Sequence, residues 1–220
     1  MTRDSGYWAD NYQRNKLSVE KAIAKINSGQ RIFIGSSCGE PQRLVKGLAD
    51  VGRNYTDLEI VRMFSGETTS LSRIAEKSKS QNVNIRSFYL GSANSKSFKG
   101  DLRFITPINL SAVHKLIKSR LMPIQVALIQ VTPPDDFGWM SLGISVDVTA
   151  SAVAAADLVI AQVNRRMPRV LGRSYIHVND IDYFVEHDEE LIEIGTYPDV
   201  ATAGKIARYL SRLVEDGSTM

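Results

Sequence analysis

Apolar positions along the chain switch repeatedly between helical and extended spacing. Val19, Ala22, Ile23 and Ile26 share one face behind Ser18, with Gly29 just after, which predicts an amphipathic helix with an N-cap and a glycine stop. Arg31-Ile32-Phe33-Ile34 predicts a buried strand, the loop Gly35-Ser36-Ser37-Cys38-Gly39-Glu40-Pro41 follows, and Leu44, Val45 and Leu48 recur at helical spacing up to Gly52. Runs rich in β-branched and aromatic residues predict strands over 58–64 and 83–90, with a helix over 68–79 between them. Arg103-Phe104-Ile105 predicts a short strand stopped by Pro107, and Val113, Leu116 and Ile117 mark a helix over 111–120. The nearly continuous apolar run 124–131, with one interior glutamine, is the strongest parallel-strand signal.

The stretch 141–182 organises the rest. Asp147 or Thr149 caps an Ala-rich helix, Leu158-Val159-Ile160-Ala161 is a buried strand ending in Gln162-Val163-Asn164, and Tyr175-Ile176-His177-Val178 and Tyr183-Phe184-Val185 are extended. Asp199 then caps a closing helix whose inner face is Val200, Ile206, Ala207, Leu210 and Leu213. Alternating strand and helix predict an α/β fold with a mostly parallel sheet, helices on both faces and right-handed crossovers. The sequence shows no linker, internal repeat or low-complexity tract, and order is expected throughout apart from the first dozen residues.

Length and charge change this picture little. The 220 residues suffice for one large domain or two small ones without disulfide or metal support. A net charge of +3 and a pI near 8.9 come from scattered basic residues such as Lys96, Lys99, Arg103, Lys115, Lys118 and Arg120. That scatter lacks the concentrated stripe of a nucleic-acid surface and fits a solvated face. The chain has no apolar signal core and no run of membrane-spanning length, so a soluble, cytoplasmic protein without membrane or nucleic-acid partners is expected.

Reactive candidates are few. Cys38 sits before a helix start, where a thiolate would be stabilised, but with no identifiable partner histidine the reading as a small buried residue is favoured; with one cysteine in the chain, no internal disulfide or cysteine zinc cluster forms. His114 reads as a surface residue, His177 as a hydrogen-bonded core histidine, and no metal site is expected. Asp135-Asp136 form either a paired-carboxylate site or a capped loop, the second favoured because adjacent side chains rarely point to one spot. The loop after the first strand is a candidate anion or oxyanion cradle, or only a tight turn. A second small-residue loop, Gly91-Ser92-Ala93-Asn94, follows another strand, and ligands in open α/β sheets collect beyond such carboxyl ends.

An ordered series of residues carries a resemblance. Pro133-Pro134-Asp135, Gly138, Ser141-Leu142-Gly143, Ser145-Val146-Asp147-Val148-Thr149, Val159-Ile160-Ala161-Gln162-Val163-Asn164, Met167-Pro168-Arg169 and Ile176-His177-Val178 resemble the acetyl-CoA hydrolase/transferase family. More narrowly they resemble its 4-hydroxybutyrate and butyrate-type CoA-transferases, and Gly35-Ser36-Ser37, Gly39-Glu40-Pro41, Asn94, Pro107 and Leu110-Ser111 match earlier landmarks in order. The resemblance implies a class I CoA-transferase-type domain and transfer of CoA between an acyl-CoA and a short-chain carboxylate through a glutamyl-CoA thioester. CoA thioester is then a substrate, with no tightly bound cofactor.

In that family the attacking glutamate lies in a second domain, so residues 1–220 are expected to be the N-terminal half, inactive alone, with no catalytic residue of their own. Glu40 belongs to the loop motif and does not take that role. Residues expected to line the acyl and carboxylate side are Gly35, Ser36, Ser37, Gly39, Asn94, Ser111, Asp135, Gln162, Asn164 and Met167. Phe137 stands where many relatives place a histidine, which removes a polar group from that loop. An open interdomain face favours self-association, so a homo-oligomer is expected. Rival expectations are a thioester hydrolase of the same family, a non-catalytic CoA- or carboxylate-binding module, and a sugar-phosphate isomerase or sensor on a related scaffold.

Overall fold

The computed structural model describes residues 6–35, 37–50, 55–64, 74, 83–89, 103–193 and 201–219. The elements in chain order are α1 (Trp8–Arg14), α2 (Val19–Ile23), β1 (Arg31–Ile34), α3 (Gln42–Asp50), β2 (Glu59–Phe64), β3 (Asn84–Tyr89), β4 (Arg103–Ile105), α4 (Leu110–Lys118), β5 (Val126–Val131), β6 (Trp139–Ser141), α5 (Thr149–Ala155), β7 (Leu158–Val163), β8 (Tyr175–His177), β9 (Tyr183–Glu186) and α6 (Ala201–Ser211). Seven strands form one sheet in the order β4-β3-β2-β1-β5-β7-β9, every pairing parallel. The expected helix over 68–79 lies largely outside the described residues, as does the Gly91–Asn94 loop.

The two-residue period of a strand explains how one sheet supports two cores. Along β5, Val126 and Leu128 face α2 and α3 in a layer with Ile23, Ile32, Leu44 and Ile60, whereas Ala127, Ile129 and Val131 face the other way, among Phe33, Val113, Ile117 and Ala152. Both faces are dry, which is why 124–131 reads as an unbroken apolar run rather than an alternating one. Ser18 caps α2 as expected, its hydroxyl accepting from the Lys21 N–H at 3.4 Å.

Two expectations are corrected, and one extended segment finds its partner outside the main sheet. Part of the first dozen residues is ordered: α1 is pinned by Asn11, buried and donating to Asn179 Oδ1 at 2.9 Å, and by Tyr12, whose hydroxyl donates to Glu186 at 2.7 Å. Residues 175–177 are extended as expected, and they pair antiparallel with β6 in a two-stranded ribbon whose Met140 and Ile176 cover the second core. The last helix forms, but its apolar side is no inner face, because none of its residues is buried. Asp199 and Val200, expected at its start, lie outside the described residues.

At the amino end of the sheet, Glu59 links three strands, accepting from Arg31 Nε at 2.5 Å and from Arg86 Nε. Burial alone would raise its pKa; the hydrogen bonds and charges of Arg86 and Arg31 outweigh that and hold it below the ordinary value of 4.5. A carboxylate lowered in the fold contributes stability that is complete above its unfolded pKa and is lost as pH falls through the folded one. Urea unfolding of the native chain is therefore expected to lose stability more steeply below pH 4.5 than that of Glu59→Gln. Equal slopes in that window would contradict the bridging geometry.

Candidate functional site

From β1 the chain moves through β2 and β3 to the edge at β4, then returns to place β5 on the other side of β1 and continues outward through β7 to β9. The loops after β1 and β5 therefore part in opposite directions, and their carboxyl ends mark the switch point where α/β sheets place a ligand crevice. The Gly35–Gly39 loop stands on one side, and the 132–138 loop with the end of β7 on the other.

The first loop is held tightly. The Gly35 N–H donates to Leu128 O at 2.9 Å, Ser37 has a left-handed φ of 58°, and residues 37–39 close a single 3-10 turn. Gly39 meets the segment before α5 so closely that a Cβ there would lie 2.1 Å from the Cβ of Ser145. Glu40 is buried beside Arg62, with N and O 3.8 Å apart, and its carbonyl accepts from Gln130 Nε2 at 3.0 Å. Ser36, in the middle of the loop, lies outside the described residues.

Gln162 and Asn164, at the end of β7, are both 0% exposed, and their polar atoms serve the protein itself. Gln162 Oε1 accepts the N–H of Arg43 at 3.0 Å and of Leu44 at 3.4 Å, and Glu189 Oε1 accepts the Arg43 N–H at 3.2 Å. The first donors of α3 are thereby satisfied by side chains, which narrows any anion cradle to the Gly35–Gly39 loop itself. Asn164 Nδ2 donates to Gln130 Oε1 and to Glu189 O, both at 2.8 Å, while its Oδ1 accepts from Arg166 N at 3.0 Å and Glu189 N at 3.3 Å. These two residues frame the crevice from behind. Met167 is buried against Gly143, whose added Cβ would lie 2.1 Å from the Met167 sulfur.

Asp135 takes the capping arrangement. Its Oδ1 accepts from Phe137 N at 3.0 Å and Trp139 N at 2.8 Å, and its Oδ2 meets Arg169 at 2.5 Å, so the loop after β5 is tied to the segment after β7. Phe137 projects from this loop, 75% exposed. His177 is only partly buried; its Nδ1 accepts from Asn179 N at 3.2 Å, which leaves Nε2 to donate to Phe137 O at 3.1 Å. Ser111 stands apart on the exposed side of α4, after β4 at the sheet edge three strands from β1, and Asn94 lies outside the described residues. Cys38 is partly exposed in the loop, and His114 is half-buried rather than free on the surface. Among the described residues, no three His, Cys, Asp or Glu side chains are placed to hold a metal ion, and no helix is long and apolar enough to cross a membrane.

A pocket of about 270 Å3 lies beyond β5, β7 and β9, lined among others by Tyr12, Pro133, Val163, Arg165, Glu186 and His187. Burial raises the Glu186 pKa, but the Lys16 ammonium at 2.7 Å and the Tyr12 hydroxyl outweigh it and hold the carboxyl below the ordinary range. Burial, followed by its hydrogen bond to Glu186 and then the Glu186 charge, pushes the Tyr12 hydroxyl far up, so it stays a donor. Sequence reasoning found the proline pair but missed Tyr12 and Glu186, whose pairing spans the whole chain.

A family profile described as the acetyl-CoA hydrolase/transferase N-terminal domain matches residues 2–194. The chain is 36% identical over 217 residues to a 4-hydroxybutyrate coenzyme A transferase of Clostridium kluyveri, covering 97% of this chain and 49% of that protein. It is 28% identical over 209 residues to a succinyl-CoA:cyclohexane-1-carboxylate CoA transferase of Geobacter metallireducens, covering 95% and 47%. Among solved structures, RipA from Yersinia pestis superposes with a TM-score of 0.87 at 25% identity, covering 97% of this chain and 51% of that one. The chain thus spans about half the length of the curated relatives it matches.

Proposed function

The chain belongs to the acetyl-CoA hydrolase/transferase family, whose N-terminal domain it contains, and from that premise we propose that it forms one half of an enzyme moving CoA from an acyl-CoA to a short-chain carboxylate. The observation that carries the proposal is the 36% identity to a 4-hydroxybutyrate CoA transferase, sustained over 97% of the chain. The switch point between β1 and β5, where α/β folds bind ligands, supports it.

In this reading a glutamate of a second domain attacks the thioester carbonyl, giving an acyl-glutamyl anhydride and free CoA thiolate. The thiolate then attacks the glutamyl carbonyl, releasing the first carboxylate and leaving a glutamyl-CoA thioester for the second carboxylate to repeat the sequence in reverse. This half supplies shape and donors. Ser37 and Gly39 of the loop after β1 offer backbone N–H groups toward the developing oxyanion, and the Asp135–Arg169 pair fixes the opposite rim. Gln162, Asn164 and Met167 hold that wall rigid. A cytoplasmic setting fits the single thiol, Cys38.

The test is an assay with an acyl-CoA and a carboxylate, using the chain alone and joined to the remaining half of the Clostridium kluyveri relative. Transfer is expected only from the joined protein. Comparable transfer by the chain alone would place the nucleophile within these residues and overturn the proposal; acyl-CoA loss without a carboxylate acceptor would make the activity a hydrolase.

A further inference from the structure

We infer that α6 is a docking element for a second parallel sheet, the one carried by the C-terminal half that the relatives possess. The inference rests on the two-domain reading above and adds the surface by which the halves are joined. On α6, Ile206 and Leu210 share a face with Leu213 just beyond the helix, while Lys205, Arg208 and Arg212 fall on the opposite side, as in a helix that covers a core. The apolar face is nevertheless open: Ile206 is 53% exposed, Leu210 56% and Leu213 79%.

The kind of partner follows from a correspondence inside the chain. Helix α2 leads through a left-handed turn at Gly29, φ 78°, into β1; helix α6 leads to a left-handed turn at Gly217, φ 84°, followed by Ser218-Thr219-Met220. Three, seven and ten residues before the glycine stand Ile26, Ala22 and Val19 in the first case, and Val214, Leu210 and Ala207 in the second. Three residues after it stand Ile32 and Met220. Ile26, Ala22 and Val19 are buried against the sheet with Ile32 and Ile34, whereas Val214, Leu210 and Ala207 are exposed. The same helix and left-handed glycine turn are thus present twice, once against a sheet and once with the apolar face exposed. The unsheeted copy lies past residue 194, where the N-terminal domain match ends, in proteins about twice as long as this chain.

Hydrogen exchange tests this. In the chain alone, amides of 201–211 are expected to exchange about a hundred-fold faster than those of β5. Joined to the C-terminal half of the Clostridium kluyveri relative, they should slow about a hundred-fold, and Ile206→Asp with Leu210→Asp should abolish that slowing. In the chain alone the same pair should leave the Tm unchanged. A fall in Tm there would show that α6 docks on its own domain, concentration-dependent protection would show a second copy as the occupant, and fast exchange in an active joined protein would show no docking; each overturns the inference. Protection without CoA transfer would instead sink the proposed activity and leave the docking intact.

Discussion

Gly39→Ala is expected to destabilise the chain by about 2–4 kcal/mol and to lower its Tm by about 5–15 °C. The new methyl would sit 2.1 Å from the Cβ of Ser145 and 2.8 Å from its Oγ. A flexible side chain could swing clear of such an intrusion, but a Cβ moves only with its backbone. Ser145 is itself buried beside α5, so the displacement would propagate into both walls of the crevice. Removing the obstacle should relieve the clash: in Gly39→Ala with Ser145→Gly, about 1–2 kcal/mol of the loss should return. Thermal unfolding of the four proteins measures the coupling. Additive losses would mean the two segments do not touch as described.

Asn164→Asp is expected to cost about 3–5 kcal/mol at neutral pH, although it exchanges one NH2 for one oxygen. The new oxygen would face Gln130 Oε1 and Glu189 O, which now accept bonds at 2.8 Å, in a site fully closed to solvent. Burial and the two acceptors would raise the folded-state pKa of the introduced carboxyl above its unfolded value of about 3.9. A carboxyl raised in the fold is tolerated while protonated and destabilises as pH climbs toward and through the folded pKa. The deficit should therefore shrink at acid pH. Asn164→Ala removes the partner of Glu189 O and of the Arg166 and Glu189 N–H groups and should lose about 3 kcal/mol without that pH dependence. Denaturant unfolding at pH 4 and pH 8 separates the two, and a deficit for Asn164→Asp that is unchanged between them would contradict the arrangement.

These two sites show what the sequence reveals and what it withholds. The strand cores were legible because a parallel strand covered on both sides must be apolar at every position, and 124–131 is nearly so. The ribbon was not: β6 and β8 are three residues each, too short for a period to register, and they pair across more than thirty residues. At the end of β7 the polar residues Gln162 and Asn164 were correctly singled out, but a strand-end amide looks alike whether it meets a ligand or its own framework. The deciding partners, Gln130 on β5 and Glu189 beyond β9, are set by tertiary pairing. Tyr12 and Glu186 were invisible for the same reason.

The anchoring of α1 has a consequence for synthesis on the ribosome. Asn11 waits for Asn179, Tyr12 for Glu186, and Leu17 N–H for Phe184 O, so the first helix has no seat until the ninth strand has left the exit tunnel. The Tyr12–Glu186 separation is 174 residues, and at about 5–20 residues per second the wait lasts roughly 10–35 s. A segment made well before its partners is among the last to be fixed. Until then Trp8 and Tyr12 present bare aromatic rings to the solvent, and a nascent-chain chaperone would find its footing there.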